Sequence, residues 1–259
     1  MSDAVQHVSV VAGGGNEYLY DTSLSTLAAG PVEFMLTNRG TVEHQAMLIR
    51  LADAVDLAQF SLELLAAPTR LNIFRLAQGF GGPNGVWPNG AASTIQTLTP
   101  GSYAMVCLLP GTGLPNAARG MIRPFAVTAR QTPPTIPADT GGDLPEFRLD
   151  EFQFLAPPGL RAGQSVRVVN AGHQTHELGL YRLEGTATPE DLVAAFERAD
   201  PKPPTKEGAG LGGLRPGGEA TFVLPRTPGS YALVCFFPDT SGSGKTHVHL
   251  GMLGRLTLS

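Results

Sequence analysis

Apolar and polar residues alternate over short stretches through most of the chain. Val32-Glu-Phe-Met-Leu36, Val166-Arg-Val-Val169, Ala220-Thr-Phe-Val-Leu224, Tyr231-Ala-Leu-Val-Cys235 and Gly254-Arg-Leu-Thr-Leu258 are brief runs rich in β-branched and aromatic residues. Gly and Pro punctuate the sequence around them, which predicts short strands joined by turns. Two stretches read as helical instead. In Thr188-Pro-Glu-Asp-Leu-Val-Ala-Ala-Phe-Glu-Arg198, Thr188 is suited to the N-cap, Pro189 to the first helical position, and two acids fall in the first turn. The stretch 53–65 stands at the corresponding place earlier in the chain. Many short strands with one helical insert per unit predict a β-sandwich architecture.

The pattern also repeats. Pro100-Gly-Ser-Tyr-Ala-Met-Val-Cys107 matches Pro228-Gly-Ser-Tyr-Ala-Leu-Val-Cys235 at an offset of 128 residues. Thr37-Asn-Arg-Gly-Thr-Val-Glu-His44 matches Val169-Asn-Ala-Gly-His-Gln-Thr-His176 at 132, and Arg119-Gly-Met121 matches Leu250-Gly-Met252 at 131. A fourth pairing sets Glu17-Tyr-Leu-Tyr-Asp21 against Glu146-Phe-Arg-Leu-Asp150. Matches in the same order at nearly constant offset mark a tandem duplication. The expected division is residues 1–130, a linker at 131–145 whose Pro and Gly content suits a semi-extended connection, and residues 146–259. Tyr103 and Tyr231 hold equivalent positions, and their hydroxyls are expected to tie a loop to the sheet.

Composition narrows the function. With 42% hydrophobic and 15% charged residues, 32 Gly and 22 Pro, the 259-residue chain has the makeup of folded, core-forming domains. A formal charge of -4 without a Lys/Arg cluster argues against a nucleic-acid partner. The apolar runs are too short for a membrane span, and no signal-peptide pattern opens the sequence. Cys107 and Cys235 occupy the same internal place in their own copies, so a bond between them would require the two copies to face each other within the short reach of a disulfide; none is expected.

The chemistry-bearing residues concentrate in the second copy. His176 comes early, and Cys235, His247 and Met252 cluster around the last strand-turn-strand. Two imidazoles and a thiolate make a trigonal N₂S set that serves both copper oxidation states, with a weak thioether tuning the potential. In this order and context, the Asn-x-Gly-x-x-x-His start, the Gly-x-Tyr-x-x-x-Cys strand and the His-x-x-x-x-Met-x-Gly finish resemble the cupredoxins, the blue copper proteins, over nearly all of both copies. The resemblance implies an all-β chain of two tandem Greek-key β-sandwich domains. It also implies a type 1-like copper site at His176, Cys235, His247 and Met252, an electron-transfer role with a redox partner protein, and a periplasmic or secreted location. Two features depart from the family pattern: the Cys235-to-His247 loop holds 11 intervening residues, and Glu177 stands where the family often has Asn.

In the first copy, His44, Cys107 and Met121 have a counterpart, but Asn116 replaces the second His. That copy is expected to bind no type 1 copper, or to bind it weakly, and to be a structural or interface domain. Cys107 and Met121 there read as buried apolar residues, His173 as a surface loop residue and His7 as part of a tail. His249 alternates with His247, so in a strand both would share a face; His249 could replace His247, or the two could hold zinc or copper(II) with His176. A metal-free structural or binding module is the further alternative. Catalysis of the multicopper-oxidase kind is not expected, because a trinuclear cluster needs more imidazoles than the chain's six histidines supply, and no His flanks either Cys.

Overall fold

The computed structural model describes residues 5–66, 73–110, 114–130, 144–200 and 202–259; most of the expected linker, at 131–143, lies outside them. The first half contains β1 (Gln6–Ala12), β2 (Tyr20–Asp21), β3 (Thr26–Ala28), β4 (Gly30–Asn38), β5 (Met47–Leu51), α1 (Leu57–Ala66), α2 (Ile73–Leu76), β6 (Ala77–Gly79), β7 (Ala91–Leu98), β8 (Gly101–Val106) and β9 (Ile122–Thr128). The second contains β10 (Glu146–Asp150), β11 (Gln153–Leu155), β12 (Ser165–Asn170), β13 (His176–Arg182), α3 (Pro189–Glu197), β14 (Gly208–Leu214), β15 (Glu219–Val223), β16 (Gly229–Val234) and β17 (Leu253–Leu258). The chain is all-β in class. Each half is a two-layered sandwich with helical inserts.

Alternation explains the layers. Along β12, Val166 and Val168 are fully buried while Arg167 between them reaches Glu146 and Glu219 on the outer face. Each half closes with the same corner: the Tyr103 hydroxyl donates to the Thr99 carbonyl at 3.0 Å and that of Tyr231 to Thr227 at 2.6 Å, as expected from the sequence. The helix α3 has its capping box, with Thr188 accepting from the Asp191 amide. In the first half the helix starts later than its sequence suggests. Asp53 pairs with Arg50 and Ala54 turns at φ 80°, and Asp56 accepts from the Gln59 amide at 2.8 Å before α1 begins.

The strand orders of the halves correspond. One layer runs β2-β1-β4-β7 and β11-β10-β12-β15; the other runs β6-β5-β8-β9, with β3 beyond β9, and β14-β13-β16-β17. This corrects the fourth repeat match. Strand β1 pairs in parallel with β4 so that Ala12 lies beside Asn38, and β10 pairs with β12 so that Leu149 lies beside Asn170. The equivalent of Leu149 is therefore Ala12, and Glu17 answers to Glu151 rather than to a residue of β10. The extra residues Gly13, Gly14 and Gly15 absorb the difference. His7, read as tail, lies in β1 and pairs with Glu33 at 2.6 Å.

The halves join edge to edge. β7 pairs antiparallel with β15, making one eight-stranded sheet across the molecule. In the other layer the stretch 79–84 runs antiparallel to β14, through bonds from Gly81 N to Gly213 O (3.0 Å), Gly212 N to Gly82 O (2.8 Å) and Asn84 N to Gly210 O (3.0 Å). Glycine is required here by the close approach: a Cβ on Gly79 would run into the carbonyl oxygen of Gly213. One hydrophobic core spans both halves, from Val10 and Phe34 to Phe147 and Phe222. Among the described residues no helix is long and apolar enough to cross a membrane.

Candidate metal centre

The second half brings His176, Cys235 and His247 together at one pole of its sandwich. His176 opens β13, Cys235 follows the last residue of β16, and His247 opens a short 3-10 helix, His247–Leu250, that leads into β17. Backbone bonds fix this frame. His247 N donates to Phe237 O (2.8 Å), Val248 N to Cys235 O (2.9 Å), Met252 N to His247 O (2.9 Å) and Cys235 N to Met252 O (3.3 Å). All four side chains, Met252 included, are fully buried.

The donors converge. His176 Nδ1 lies 3.0 Å from His247 Nδ1, which lies 3.4 Å from Cys235 Sγ. The three donor atoms all fall within 4.8 Å of one another. Ligands held about 2.0–2.3 Å from a single ion are separated by similar distances, and one sulfur with two imidazole nitrogens is the donor set of a soft to borderline transition metal. The far ring nitrogens face polar partners, His247 Nε2 at 3.4 Å from Gln174 Oε1 and His176 Nε2 at 3.6 Å from Glu151 Oε1. The bond from His247 Nε2 to Gln174 Oε1 favours the tautomer that leaves His247 Nδ1 bare. Burial lowers the proton affinity of both imidazoles, bringing His247 down to about 4 with further help from His176. Burial also pushes the Cys235 thiol well up, and the Glu177 carboxylate adds to the shift.

The long loop between Cys235 and His247 folds on Asp239, which is almost fully buried. Its carboxylate accepts from the amides of Ser241 and Ser243, the Ser241 hydroxyl and Gln174 Nε2. These bonds hold the carboxyl far below its usual range against the cost of burial. Gln174 Oε1 in turn accepts from Thr240 N and Oγ1, and Pro238 bridges to Thr246. The extra length is thus spent in a closed turn, and the chain returns His247 to the pole. His249 does not share its position. The segment is a 3-10 helix and not a strand, so the two rings diverge: His249 is half exposed and bonds Glu197 Oε1 at 2.6 Å and Thr246 Oγ1 at 2.8 Å. His173 is exposed, with its amide on Glu151.

Glu177 completes the frame. Its amide donates to Cys235 Sγ at 3.4 Å, and its carboxylate accepts from Phe236 N at 2.8 Å and from Asn84 Nδ2 at 2.9 Å. Asn84 belongs to the first half, and its Oδ1 accepts from Gln45 Nε2 at 2.6 Å. Gln45 is the first-half equivalent of Glu177: its amide points at Cys107 Sγ at 3.5 Å and its Oε1 accepts from Leu108 N at 2.5 Å. A buried chain of hydrogen bonds therefore joins the ends of the two cysteine strands through Asn84. This residue carries no motif, and sequence reasoning missed it.

Two facing sheets with parallel β1–β4 and β10–β12 pairs, and a Cys, 3-10 helix and Met loop at the same pole, decide the fold. Each half is a cupredoxin-like domain. No family model matches the chain, and no curated protein matches it in sequence. Among solved structures, a dithionite-reduced auracyanin from Roseiflexus castenholzii is 21% identical, covering 48% of this chain and 98% of its own at a TM-score of 0.36. Auracyanin A of Chloroflexus aurantiacus, a "blue" copper protein, is 18% identical over 48% of this chain and all of its own, at 0.33. A copper nitrite reductase from Nitrosomonas europaea is 15% identical over 99% of this chain and 94% of its own, at 0.26.

The first cupredoxin-like half repeats the frame with one ring missing. Asn116 opens the 3-10 helix Asn116–Arg119 and is buried where His247 stands in the second. Its Nδ2 donates to Cys107 Sγ at 3.5 Å. Cys107 and Cys235 are both buried free thiols.

Proposed function

We propose that the chain binds one copper ion at the second pole, with His176, Cys235 and His247 as principal ligands and Met252 as the weak fourth, and that it carries electrons. The convergence of two buried Nδ1 atoms and one buried sulfur within 4.8 Å carries the reading. Copper held there would supply one-electron redox chemistry. The protein's own part is to present the donors ready-made. Burial keeps both imidazoles neutral, their Nε2 atoms turn toward Glu151 and Gln174, and the Glu177 amide donates to the sulfur. A frame that changes little between oxidation states lowers the cost of electron exchange, since the ligands need no reordering. No His stands beside Cys235 to lead electrons to a further centre, its neighbours being Val234 and Phe236. The same reading implies a periplasmic or secreted protein with a redox protein as its partner.

Copper loading tests it. The expected result is one copper per chain with an intense visible thiolate-to-copper absorption that disappears in Cys235→Ser. A colourless protein that retains no stoichiometric copper after desalting refutes the reading.

A further inference from the structure

The first pole is built like a site although it lacks the second imidazole. Asn116 N donates to Leu109 O at 3.1 Å, Ala117 N to Cys107 O at 2.8 Å, Met121 N to Asn116 O at 3.1 Å and Cys107 N to Met121 O at 3.1 Å. These are the same four bonds that frame the second pole. His44, Cys107, Asn116 and Met121 are all buried. Glu17, held by the Thr41 amide and hydroxyl and by the Val42 amide, lies 2.9 Å from His44 Nε2. That is a closer partner than Glu151 gives His176.

Two polar atoms at this pole are buried with no partner, His44 Nδ1 and Asn116 Oδ1. The bond to Glu17 claims the proton of the His44 ring on Nε2, so Nδ1 carries a bare lone pair. Its direction follows from the repeat. His44 Nε2 lies 2.9 Å from a Cβ built on Gly40, and His176 Nε2 lies 2.8 Å from one built on Gly172. The rings are turned alike, and in the second half that turn points Nδ1 at the cysteine pole. An uncompensated buried lone pair costs about 1–3 kcal/mol. The sulfur meanwhile accepts from two N–H groups, Gln45 N and Asn116 Nδ2, each at 3.5 Å, an arrangement that favours a thiolate.

We propose that the first pole is a copper(I) site, with His44 Nδ1, the Cys107 thiolate and the Met121 thioether as donors and Asn116 holding the sulfur. One imidazole, a thiolate and a thioether are few and soft donors, which select monovalent copper. Charge agrees: Cu(I) enters as the thiol proton leaves to solvent, one positive charge replacing another, so the buried pole stays neutral. A divalent ion would leave an added charge in the same apolar surroundings. The site does not depend on the copper reading of the second pole, and it gives no blue colour.

The test is an anaerobic titration of the metal-free protein with Cu(I) against bathocuproine disulfonate as competing chelator. The wild type is expected to take about two equivalents. Cys235→Ser is expected to keep one, colourless in air-free solution, and to lose it when Cys107→Ser or His44→Gln is added. Cys235→Ala serves in place of Cys235→Ser should that variant not fold. Retention of Cu(I) that is indifferent to Cys107 and His44, or no retention in Cys235→Ser and Cys235→Ala alike, overturns the proposal. The colour of the copper(II)-loaded wild type reports separately on the second pole.

Discussion

His247 and Asn116 occupy the same corner of two matching frames, and exchanging an imidazole for an amide changes what each pole does with a proton. In the folded chain His247 titrates at about 4, against about 6.5 in an unfolded chain. Above pH 6.5 both states hold the ring neutral and the group contributes no pH dependence. Between 6.5 and 4 the unfolded chain takes up a proton that the native pole refuses, so stability falls as the pH falls. Thermal melts of the metal-free protein should show this loss. His247→Asn should recover on the order of 2 kcal/mol of it at pH 4.5 relative to pH 7.5, leaving the part due to His44 and His176, which burial also lowers. An unchanged acid slope in the variant contradicts the assignment. At this scale the meeting of His176, Cys235 and His247 was readable in the sequence, because their order resembles the cupredoxin pattern. The relation of His247 to His249 was not. It depends on whether the chain there is a strand or a 3-10 helix, and Gly251 at φ 110°, which ends that helix, leaves the two alternatives looking alike in sequence.

Among the elements, the least conspicuous does the joining. The stretch from Gly81 to Asn84 lies between β6 and β7 and forms no strand of its own, yet Asn84 is the only described side chain that bonds both Gln45 and Glu177. Replacing it by Leu removes two buried hydrogen bonds and leaves an amide and a carboxylate short of a partner. The expected cost is about 2–4 kcal/mol in chemical denaturation. If Glu177 steadies the strand end that bears Cys235, Asn84→Leu should also displace the visible band or the reduction potential of the copper-loaded protein, whereas a conservative Asn84→Gln retains more of both. A stability loss with an unmoved spectrum and potential would limit Asn84 to holding the halves together. The contact was hidden in the sequence because it joins positions 93 residues apart through a Gly- and Pro-rich stretch that reads as a turn. The register of β1 was misread for a related reason. Glu17 and Glu146 look alike as letters, but pairing with β4 and β12 sets the alignment, and three inserted glycines shift it.

At the scale of the molecule, the duplication has become a symmetry. Thr94 and Phe222 hold equivalent places in β7 and β15, by their pairing with Phe34 and Val166, and they pair with each other. The bonds from Asn84 N to Gly210 O and from Gly212 N to Gly82 O are likewise exchanged by the repeat. An interface whose two sides are the same patch in two copies is self-complementary in the manner of a twofold dimer, and here a single chain supplies both sides. Sequence patterning predicts each strand's buried face but not which edges meet, since edge pairing is backbone to backbone. Because sheet and core are continuous across the join, the halves should not melt apart. Calorimetry of the metal-free protein is expected to give one transition with matching calorimetric and van't Hoff enthalpies. Gly79→Ala, whose added Cβ meets the Gly213 carbonyl, should lower the whole of that transition by about 1–3 kcal/mol rather than split off a first-half event. Two resolved transitions, or a Gly79→Ala effect confined to one of them, would mean that the halves are separately stable and that the second pole owes nothing to the first. A single shifted transition ties the two poles into one rigid body, and the bonds through Asn84 then give the first half a physical means of acting on the second.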